Sequence, residues 1–238
     1  MVMRGYIEDK EFGKVYVELR RGMTSVRFTY HADGNLLMRA PLGTSASELQ
    51  RMVDANREQL RQLPRPQSVT FRFGQVIECF RCRVVIEPQH THPGYILSRW
   101  EGDTLHLCPH ESANPDDEGI KRTISKTISR AMEVEADKVL LPFAREVAEE
   151  LGLKPAAFEI GRGMRKLGHC TKDRVIQLSR NLMFFPEELI RYIICHELAH
   201  LTHLNHSPQF HALCDQYCGG KEKELERQLR QFRFPILK

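Results

Sequence analysis

The sequence lacks long hydrophobic runs, a strong excess of charge and an apolar N-terminal segment. No apolar stretch approaches the roughly 18 residues that a membrane-spanning helix needs, so we expect no membrane partner. Residues 1–10 contain Arg4, Glu8, Asp9 and Lys10, so we expect no secretory signal and a cytoplasmic protein. The formal net charge of +4 weakly favours acidic partners and does not by itself indicate nucleic-acid binding.

A disulfide framework or a zinc ribbon is also missing. The seven cysteines are odd in number and irregularly spaced, which favours reduced thiols. Cys79 and Cys82 form a C-x-x-C pair that no second pair follows, so we interpret them as strand thiols. Cys214 and Cys218 are interpreted as core thiols on a helix.

The composition, with 41% hydrophobic and 28% charged residues, is that of a globular protein without repeats or low-complexity tracts. Alternating apolar residues predict strands in the first half, and Asp33-Gly34 predicts a hairpin turn between antiparallel strands. The expected strands lie at residues 14–20, 25–31, 36–40, 69–87, 95–100 and 104–108. Ser45 and Glu48 form a capping-box pattern at the start of one helix that should reach Leu63.

The second half is predicted to be mainly helical. The polar residues 114–119 indicate a boundary, so we expect a β-rich region with one helix at residues 1–113 and a second domain at residues 114–238. An apolar stripe predicts a helix from Ile120, and Pro142 should kink it or start another helix that reaches Leu151. Gly152 is the expected C′ residue after this helix. Residues 158–160 and 175–178 are short strands, with a loop at 161–172, and Pro186 and Ser207 open further helices. The predicted class is α+β, with a short antiparallel sheet in the second domain.

Residues 196–200 read His-Glu-Leu-Ala-His and form the strongest functional motif. Side chains four residues apart lie on one face of a helix, so His196 and His200 can bind one metal ion. Glu197 lies beside the metal rather than on it, where a general base must be. The alternative is a buried helix whose histidines only form hydrogen bonds.

The third ligand is His206 or His203. His203 is about 10.5 Å along the helix axis from the first ligand, at about 1.5 Å per residue, a strained span for two ligands that each lie near 2.1 Å from one zinc. His206 is favoured if Asn205 ends the helix in the left-handed conformation and turns the chain back.

The residues after the motif predict the environment of this site. Ser207 and Pro208 read as the N-cap and first residue of a new helix, in which His211 supports a ligand or lies on the surface. Three protein ligands leave a fourth position for water, which is the catalytic arrangement. Three imidazoles suit zinc, so we expect one Zn²⁺ per chain.

The motif and its surroundings resemble the YgjP-like metallopeptidase domain, a group of predicted zinc-dependent hydrolases related to SprT-like and WLM proteases. The resemblance rests on residues 196–200 and on Asn-His-Ser-Pro-x-Phe at residues 205–210. Softer matches are Ala-Pro-Leu-Gly-Thr at 40–44, Phe-Gly at 73–74 and Gly-x-Cys at 168–170. It covers about residues 14–230.

The resemblance implies a zincin-like catalytic domain behind a small β-rich region. It also implies His196, His200 and His206 as zinc ligands and Glu197 as the general base. One segment departs from the family pattern: residues 166–170 read Lys-Leu-Gly-His-Cys where the family usually has Arg-Trp-Gly-Ser-Cys. If this loop shapes the substrate pocket, its specificity differs here.

The hypothesis is therefore hydrolysis of a polypeptide substrate with zinc and Glu197. A further group must stabilise the oxyanion or support the ligands, and the sequence leaves this role open among Lys166, His169, His203 and Tyr217. By analogy with other zincins, substrate binds as an added strand along residues 175–178. The alternatives are a non-catalytic zinc-binding interaction module, a DNA-associated SprT-like protease, and hydrolysis of a non-peptide amide.

Overall fold

The computed structural model describes residues 2–31, 34–63, 69–161 and 166–237. The predicted turn residue Asp33 and part of the predicted loop 161–172 lie outside these ranges. Contacts divide the chain into two compact units, residues 1–68 and residues 69–238. None of the helices in the described ranges combines the length and the apolar character needed to cross a membrane.

The first unit is a four-stranded sheet. Its strands are β1 (Val2–Asp9), β2 (Gly13–Arg20), β3 (Arg27–Tyr30) and β4 (Leu36–Pro41). Their order is β1-β2-β4-β3, and β3 and β4 form the predicted antiparallel hairpin. The expectation of antiparallel strands is wrong for β2 and β4, which run parallel. β1, for which the sequence pattern gives no prediction, takes the antiparallel place beside β2.

Two helices follow this sheet where one is predicted: α1 (Ala46–Ala55) and α2 (Arg57–Gln62). The capping box of Ser45 and Glu48 is confirmed at the start of α1. Asn56 interrupts the helix because its side-chain amide donates to the Met52 carbonyl and competes with the backbone. Alternate residues of β2 and β4 pack against these helices to form the core, which includes Val15, Met38, Ala40, Leu49, Val53 and Leu60.

The second unit begins with a sheet of the same topology. Its strands are β5 (Val76–Cys79), β6 (Cys82–Ile86), β7 (Ile96–Glu101) and β8 (Thr104–Pro109). Their order is β5-β6-β8-β7, with a parallel central pair between two antiparallel outer pairs. Cys79 and Cys82 face each other on β5 and β6 as free thiols. The shared topology is invisible as a sequence repeat because unrelated apolar residues satisfy the same strand pattern.

The division at residues 68 and 69 differs from the boundary that the polar stretch 114–119 predicts. Ile77 and Val84 of the second sheet belong to the same hydrophobic cluster as Ile128 and Ile194 of the later helices. A chain segment that shares one apolar core with the helices cannot be separated from them without exposing that core to water. The polar stretch is therefore a surface connection inside one unit.

A long helix, α3 (Glu118–Glu150), continues through Pro142. The prediction of a second helix is wrong because Leu140, Phe143 and Ala144 anchor the turns on both sides of the proline in the core. After α3, Gly152 adopts a φ of +67°, and the N–H of Leu153 donates to the Ala148 carbonyl. This glycine C-cap agrees with the prediction.

The last part of the chain contains a small sheet, one 3-10 helix and three α-helices. The strands are β9 (Ala157–Gly161), β10 (Gly168–Cys170) and β11 (Val175–Ser179). The 3-10 helix (Arg180–Phe184) precedes α4 (Glu187–Ala199), α5 (Pro208–Tyr217) and α6 (Glu222–Gln231). The expectation of an antiparallel sheet is wrong, because β11 pairs antiparallel with β10 and parallel with β9. β11 is the central strand and has no free edge, so residues 175–178 cannot accept an added strand. β10 and β9 are the edges.

Candidate active site

Three imidazoles from α4 and the loop after it meet at one point. His196 lies in the last turn of α4, His200 caps its C-terminal end, and His206 precedes α5. One ring nitrogen of each lies within 4.8 Å of the other two, and the Nε2 atoms of His196 and His206 are 3.1 Å apart. Two nitrogens at about 2.0–2.1 Å from one tetrahedral zinc are about 3.3–3.4 Å apart, so this donor set suits one ion.

The chain turns towards His206 earlier than the sequence predicts. α4 ends at Ala199, and the N–H groups of Thr202 and His203 both donate to the Ala199 carbonyl. The prediction that Asn205 turns the chain in the left-handed conformation is wrong, because Asn205 has no positive φ. A tightened last turn of the helix, followed by a bend at residues 204 and 205, brings His206 back instead.

The start of α5 fixes the backbone conformation directly after His206. Ser207 is the N-cap, and its Oγ accepts a hydrogen bond from the N–H of Phe210 at 3.3 Å. Pro208 is the first residue of the helix. Both features agree with the prediction. The ring of Phe210 is buried, and its centroid lies 4.5 to 4.8 Å from the ring centroids of His196, His200 and His206.

His203 contributes its backbone rather than its ring. The Nδ1 of His200 lies 2.9 Å from the His203 carbonyl oxygen. A carbonyl oxygen can only accept, so Nδ1 carries the proton and Nε2 keeps the lone pair that a metal requires. Among the described residues, the group that could share an ion with His196 and His200 contains His206 and not His203.

Burial favours the neutral form of the His196 and His200 rings. Burial lowers the pKa of His196 to about 4, and the rings of His200, His206 and His211 act in the same direction. Burial is also the main cause that lowers the pKa of His200, against the opposing effect of the His203 carbonyl. Neutral imidazoles offer lone pairs to a metal ion, so protons compete little for these two rings near neutral pH.

Glu197 is a buried carboxylate, with only 6% of its surface exposed. Burial raises its pKa to about 7, although a hydrogen bond from the backbone N–H of Cys170 and the positive charge of Lys166 act in the opposite direction. A carboxylate whose pKa lies near the working pH can both accept and release a proton. The carboxylate next to the first predicted ligand therefore has the properties of a general base.

Gly168 allows β10 to approach Glu197. A Cβ at this position would lie 2.6 Å from both Cγ and Oε1 of Glu197, a distance at which one of them must move. The backbone at Gly168 is not in the left-handed region, so space rather than conformation requires glycine here. Sequence reasoning missed this role, and its signal was the Gly-x-Cys pattern at residues 168–170.

The carboxylate and the imidazoles line a cleft of about 310 Å³, to which Lys166, His169, Cys170 and Leu204 also contribute. The structure thus brings the predicted residues Lys166 and His169 to the site. Tyr217 does not line the cleft, because it ends α5 and packs against the hydrophobic core. Its carbonyl accepts from the Cys195 thiol at 3.6 Å.

Two buried side chains beside His196 have no signal in the sequence. Ligand atoms of Cys214 and Glu222 lie within 4.8 Å of a ring nitrogen of His196. Glu222 is 7% exposed and accepts a hydrogen bond from Nδ1 of His211 at 2.8 Å. α6 is rich in charged residues, yet its first residue, Glu222, is buried, and the backbone N–H of Glu222 donates to the Asp215 carboxylate.

A helix that carries two imidazoles and a buried carboxylate, with a third imidazole after it, defines a candidate metal-dependent hydrolase site. The model of one known family, the YgjP-like metallopeptidase domain, matches residues 24–232. The chain therefore belongs to the YgjP-like metallopeptidase domain family, and this membership indicates a zinc-dependent hydrolase. No curated protein and no solved structure matches the chain.

Proposed function

We propose that this chain is a zinc-dependent peptidase in which Glu197 activates water for the cleavage of a peptide bond. The observation that carries the proposal is a buried carboxylate at the wall of the cleft, directly beside three imidazoles. Within the described ranges no lysine or arginine forms an ion pair with Glu197. Burial of a carboxylate without such a partner is unfavourable, and a zinc site that serves only stability has no use for it.

His196, His200 and His206 would hold one zinc ion per chain. Zinc with three protein ligands supplies Lewis acidity, which makes a water molecule more acidic and polarises a carbonyl oxygen. Burial lowers the pKa of His196 and of His200, which leaves the lone pairs of these two rings available for this binding. The hydrogen bond between His200 and the His203 carbonyl fixes the tautomer of one ring.

Glu197 transfers the proton in this proposal. Its carboxylate accepts a proton from water while the water oxygen bonds to the carbonyl carbon of the substrate. It then donates that proton to the amide nitrogen as the C–N bond breaks, and a carboxylic acid and an amine leave. The N–H of Cys170 holds the carboxylate, and Gly168 provides the space for this contact.

His169 is the best candidate for a hydrogen bond to the oxyanion. It lines the cleft and is close enough to His200 to lower the pKa of that ring. Lys166 also lines the cleft, whereas Tyr217 lies outside it. His203 faces His200 with a carbonyl oxygen, which cannot donate a hydrogen bond.

A polypeptide substrate would pair with β10. This strand is an edge of the small sheet, and it borders the cleft through Gly168, His169 and Cys170. The unpaired backbone groups of an edge strand can hydrogen bond an extended peptide. Such pairing would bring the peptide backbone next to Glu197.

The test combines metal analysis with cleavage of a peptide library. Purified wild type, His203→Ala and Glu197→Gln should each contain one zinc per chain, whereas His206→Ala should lose it. Cleavage should occur in wild type and His203→Ala and disappear in Glu197→Gln. His203→Ala is the matched control because its contact with His200 uses only the backbone.

Other outcomes point to the alternatives. Zinc without cleavage that depends on Glu197 would favour the interaction module or a non-peptide amide substrate. Cleavage that requires DNA and weakens steeply with salt would favour a DNA-associated protease. Wild-type protein that binds no metal would refute the proposal.

A further inference from the structure

A separate cavity, here called the α3 cavity, lies between α3, the 3-10 helix and the residues that follow α6. Its volume is about 430 Å³, within the range of roughly 300–1,000 Å³ that is usual for small-molecule sites. It shares no lining residue with the cleft at Glu197. A ligand bound there would leave the proposed active site open.

Positive side chains dominate the wall of the α3 cavity. Arg122, Lys126 and Arg130 follow one another at intervals of four residues and so share one face of α3. Arg180 of the 3-10 helix adds a fourth cation. Of the described residues that line the cavity, Glu133 alone is acidic, and it pairs with Arg180 at 2.5 Å.

The helix cations are poorly neutralised. In the parts of the chain that the structure describes, neither Lys126 nor Arg130 forms an ion pair, and Arg122 has only a 3.8 Å contact with Glu118. Like charges at four-residue spacing repel each other and weaken a helix. A bound anion would offset this repulsion.

A buried amide supplies an independent indication of a ligand. Asn181 lines the cavity, is only 4% exposed, and its Nδ2 has no hydrogen-bond acceptor among the described residues. The Ser179 Oγ accepts its backbone N–H at 3.2 Å and so fixes the residue. A buried donor without an acceptor is unfavourable. Protein atoms enclose Nδ2 itself, so the Asn181 side chain has to rotate towards the cavity for an anionic oxygen there to accept its hydrogen bond.

The cavity also has an apolar wall formed by Phe234 and Ile236. Phe234 packs edge-on against Phe184, which holds its ring in place. The Ser125 hydroxyl accepts the N–H of Leu237 at 3.1 Å and holds this segment against α3. Cationic and apolar surfaces therefore meet in one pocket.

We infer that the α3 cavity binds a small phosphorylated molecule. Lys126, Arg130 and Asn181 contact the phosphate, and Phe234 and Ile236 contact an adjacent apolar group. A phosphate suits the site because its several oxygens accept hydrogen bonds from cations and from the amide together. A small molecule is favoured over nucleic acid because the cations surround a pocket rather than follow an extended track.

The inference can be tested by calorimetric titration of the full chain with adenosine monophosphate, inorganic phosphate and adenosine. The cavity variant is Lys126→Gln combined with Arg130→Gln, two exposed positions. The matched control is Arg145→Gln combined with Lys154→Gln, which removes the same charge at exposed positions outside the cavity. Equal melting temperatures of the two variants will show that both are folded.

We expect adenosine monophosphate to bind more tightly than phosphate, with a dissociation constant below about 1 mM. The cavity variant should bind it at least roughly tenfold more weakly, and the control variant should bind as wild type does. The side-chain amide signal of Asn181 should shift during the titration in NMR spectra.

Three results would overturn the inference. An equal loss of affinity for adenosine monophosphate in the cavity variant and the control variant would show non-specific electrostatic attraction. If both adenosine monophosphate and inorganic phosphate have dissociation constants above about 10 mM, the cavity does not bind this class of ligand. A single-stranded oligonucleotide that binds through Lys126 and Arg130, while adenosine monophosphate does not, would assign the surface to nucleic acid. None of these outcomes depends on peptidase activity.

Discussion

Each of the two units buries a carboxylate, and the surroundings of these two groups are opposite. In the first unit, Asp9 accepts two hydrogen bonds from Arg57, one from Gln50 and two from backbone N–H groups. The Arg57 guanidinium, together with these other donors, holds the pKa of Asp9 well below its usual range despite burial. Asp9 is thus fixed as an anion that connects β1 to both helices of its unit.

In the second unit, Glu197 receives one backbone hydrogen bond, and burial raises its pKa to about 7. The two units share a four-stranded sheet topology, so the sheets do not create this difference. It arises from what packs around each carboxylate. A fully paired buried acid stabilises a fold, whereas a buried acid without a cationic partner is a candidate for proton transfer.

The largest effect on the difference between the two carboxylates is expected from a substitution at Gly168. In Gly168→Ala, the new Cβ would push the Glu197 carboxylate from its place, because the two would be 2.6 Å apart. We expect peptide cleavage to fall about 100-fold, as misplacement of a catalytic group by about 1 Å does, with zinc content unchanged.

Gly161→Ala is the matched control for this change. It lies on β9, the opposite edge strand of the same sheet, where a new Cβ would meet its nearest atom at 3.5 Å, an ordinary contact. The control should keep wild-type activity. Full activity in Gly168→Ala would show that the position of Glu197 is not limiting.

Glu222 is a third buried carboxylate and extends the comparison to the metal ligands. Removal of its charge in Glu222→Gln should weaken zinc binding by roughly 10- to 100-fold, because the group lies beside His196 and holds His211. Competition with a chelator measures this affinity. Glu224→Gln, at an exposed position on the same helix, should bind zinc as wild type does; equal affinity in both variants would contradict the supporting role.

Asp9→Asn should affect stability and its dependence on pH. The pKa of Asp9 is lowered in the folded protein, so its contribution is complete above the unfolded value near 3.8 and declines as pH falls through the folded value. We expect Asp9→Asn to lower the melting temperature at pH 7 by roughly 5 °C. The difference between wild type and variant should shrink below about pH 4.

Calorimetry between pH 2 and 7 measures this effect. Glu8→Gln removes an exposed charge from the same strand and should melt as wild type does. A difference between wild type and Asp9→Asn that stays constant down to pH 2 would argue against the ionised pair with Arg57.

The smallest expected effects concern two serine caps, one in each unit. Ser45→Ala and Ser207→Ala should each reduce the free energy of unfolding by about 1 kcal/mol, because each hydroxyl caps a helix. Only Ser207→Ala should also weaken zinc binding, since it directly follows His206. Denaturant unfolding and chelator competition separate the two effects, and equal zinc affinity in both variants would contradict the positional role of Ser207.

Local features of the sequence predicted local structure well. The capping box at Ser45, the serine and proline at the start of α5, and the glycine after α3 are all confirmed, because each depends on neighbouring residues only. Predictions of how elements end or pair were less accurate. The helix α3 continues through Pro142 because core contacts hold it on both sides of the proline. β11 is the central strand because β10 and β9 pair with its two sides.

The sequence by itself indicated which residues form the candidate site. The motif at residues 196–200 and His206 supply the candidate donors, and four-residue spacing on a helix places two of them on one face regardless of the rest of the fold. Family membership also follows from the sequence alone, through the match over residues 24–232.

Only the tertiary structure decided how that chemistry is tuned. The burial of Glu197, the space that Gly168 leaves for it and the approach of Glu222 to His196 all join segments that are distant in sequence. Local patterns cannot encode such contacts, because burial and the pKa of a buried acid depend on every element packed around it.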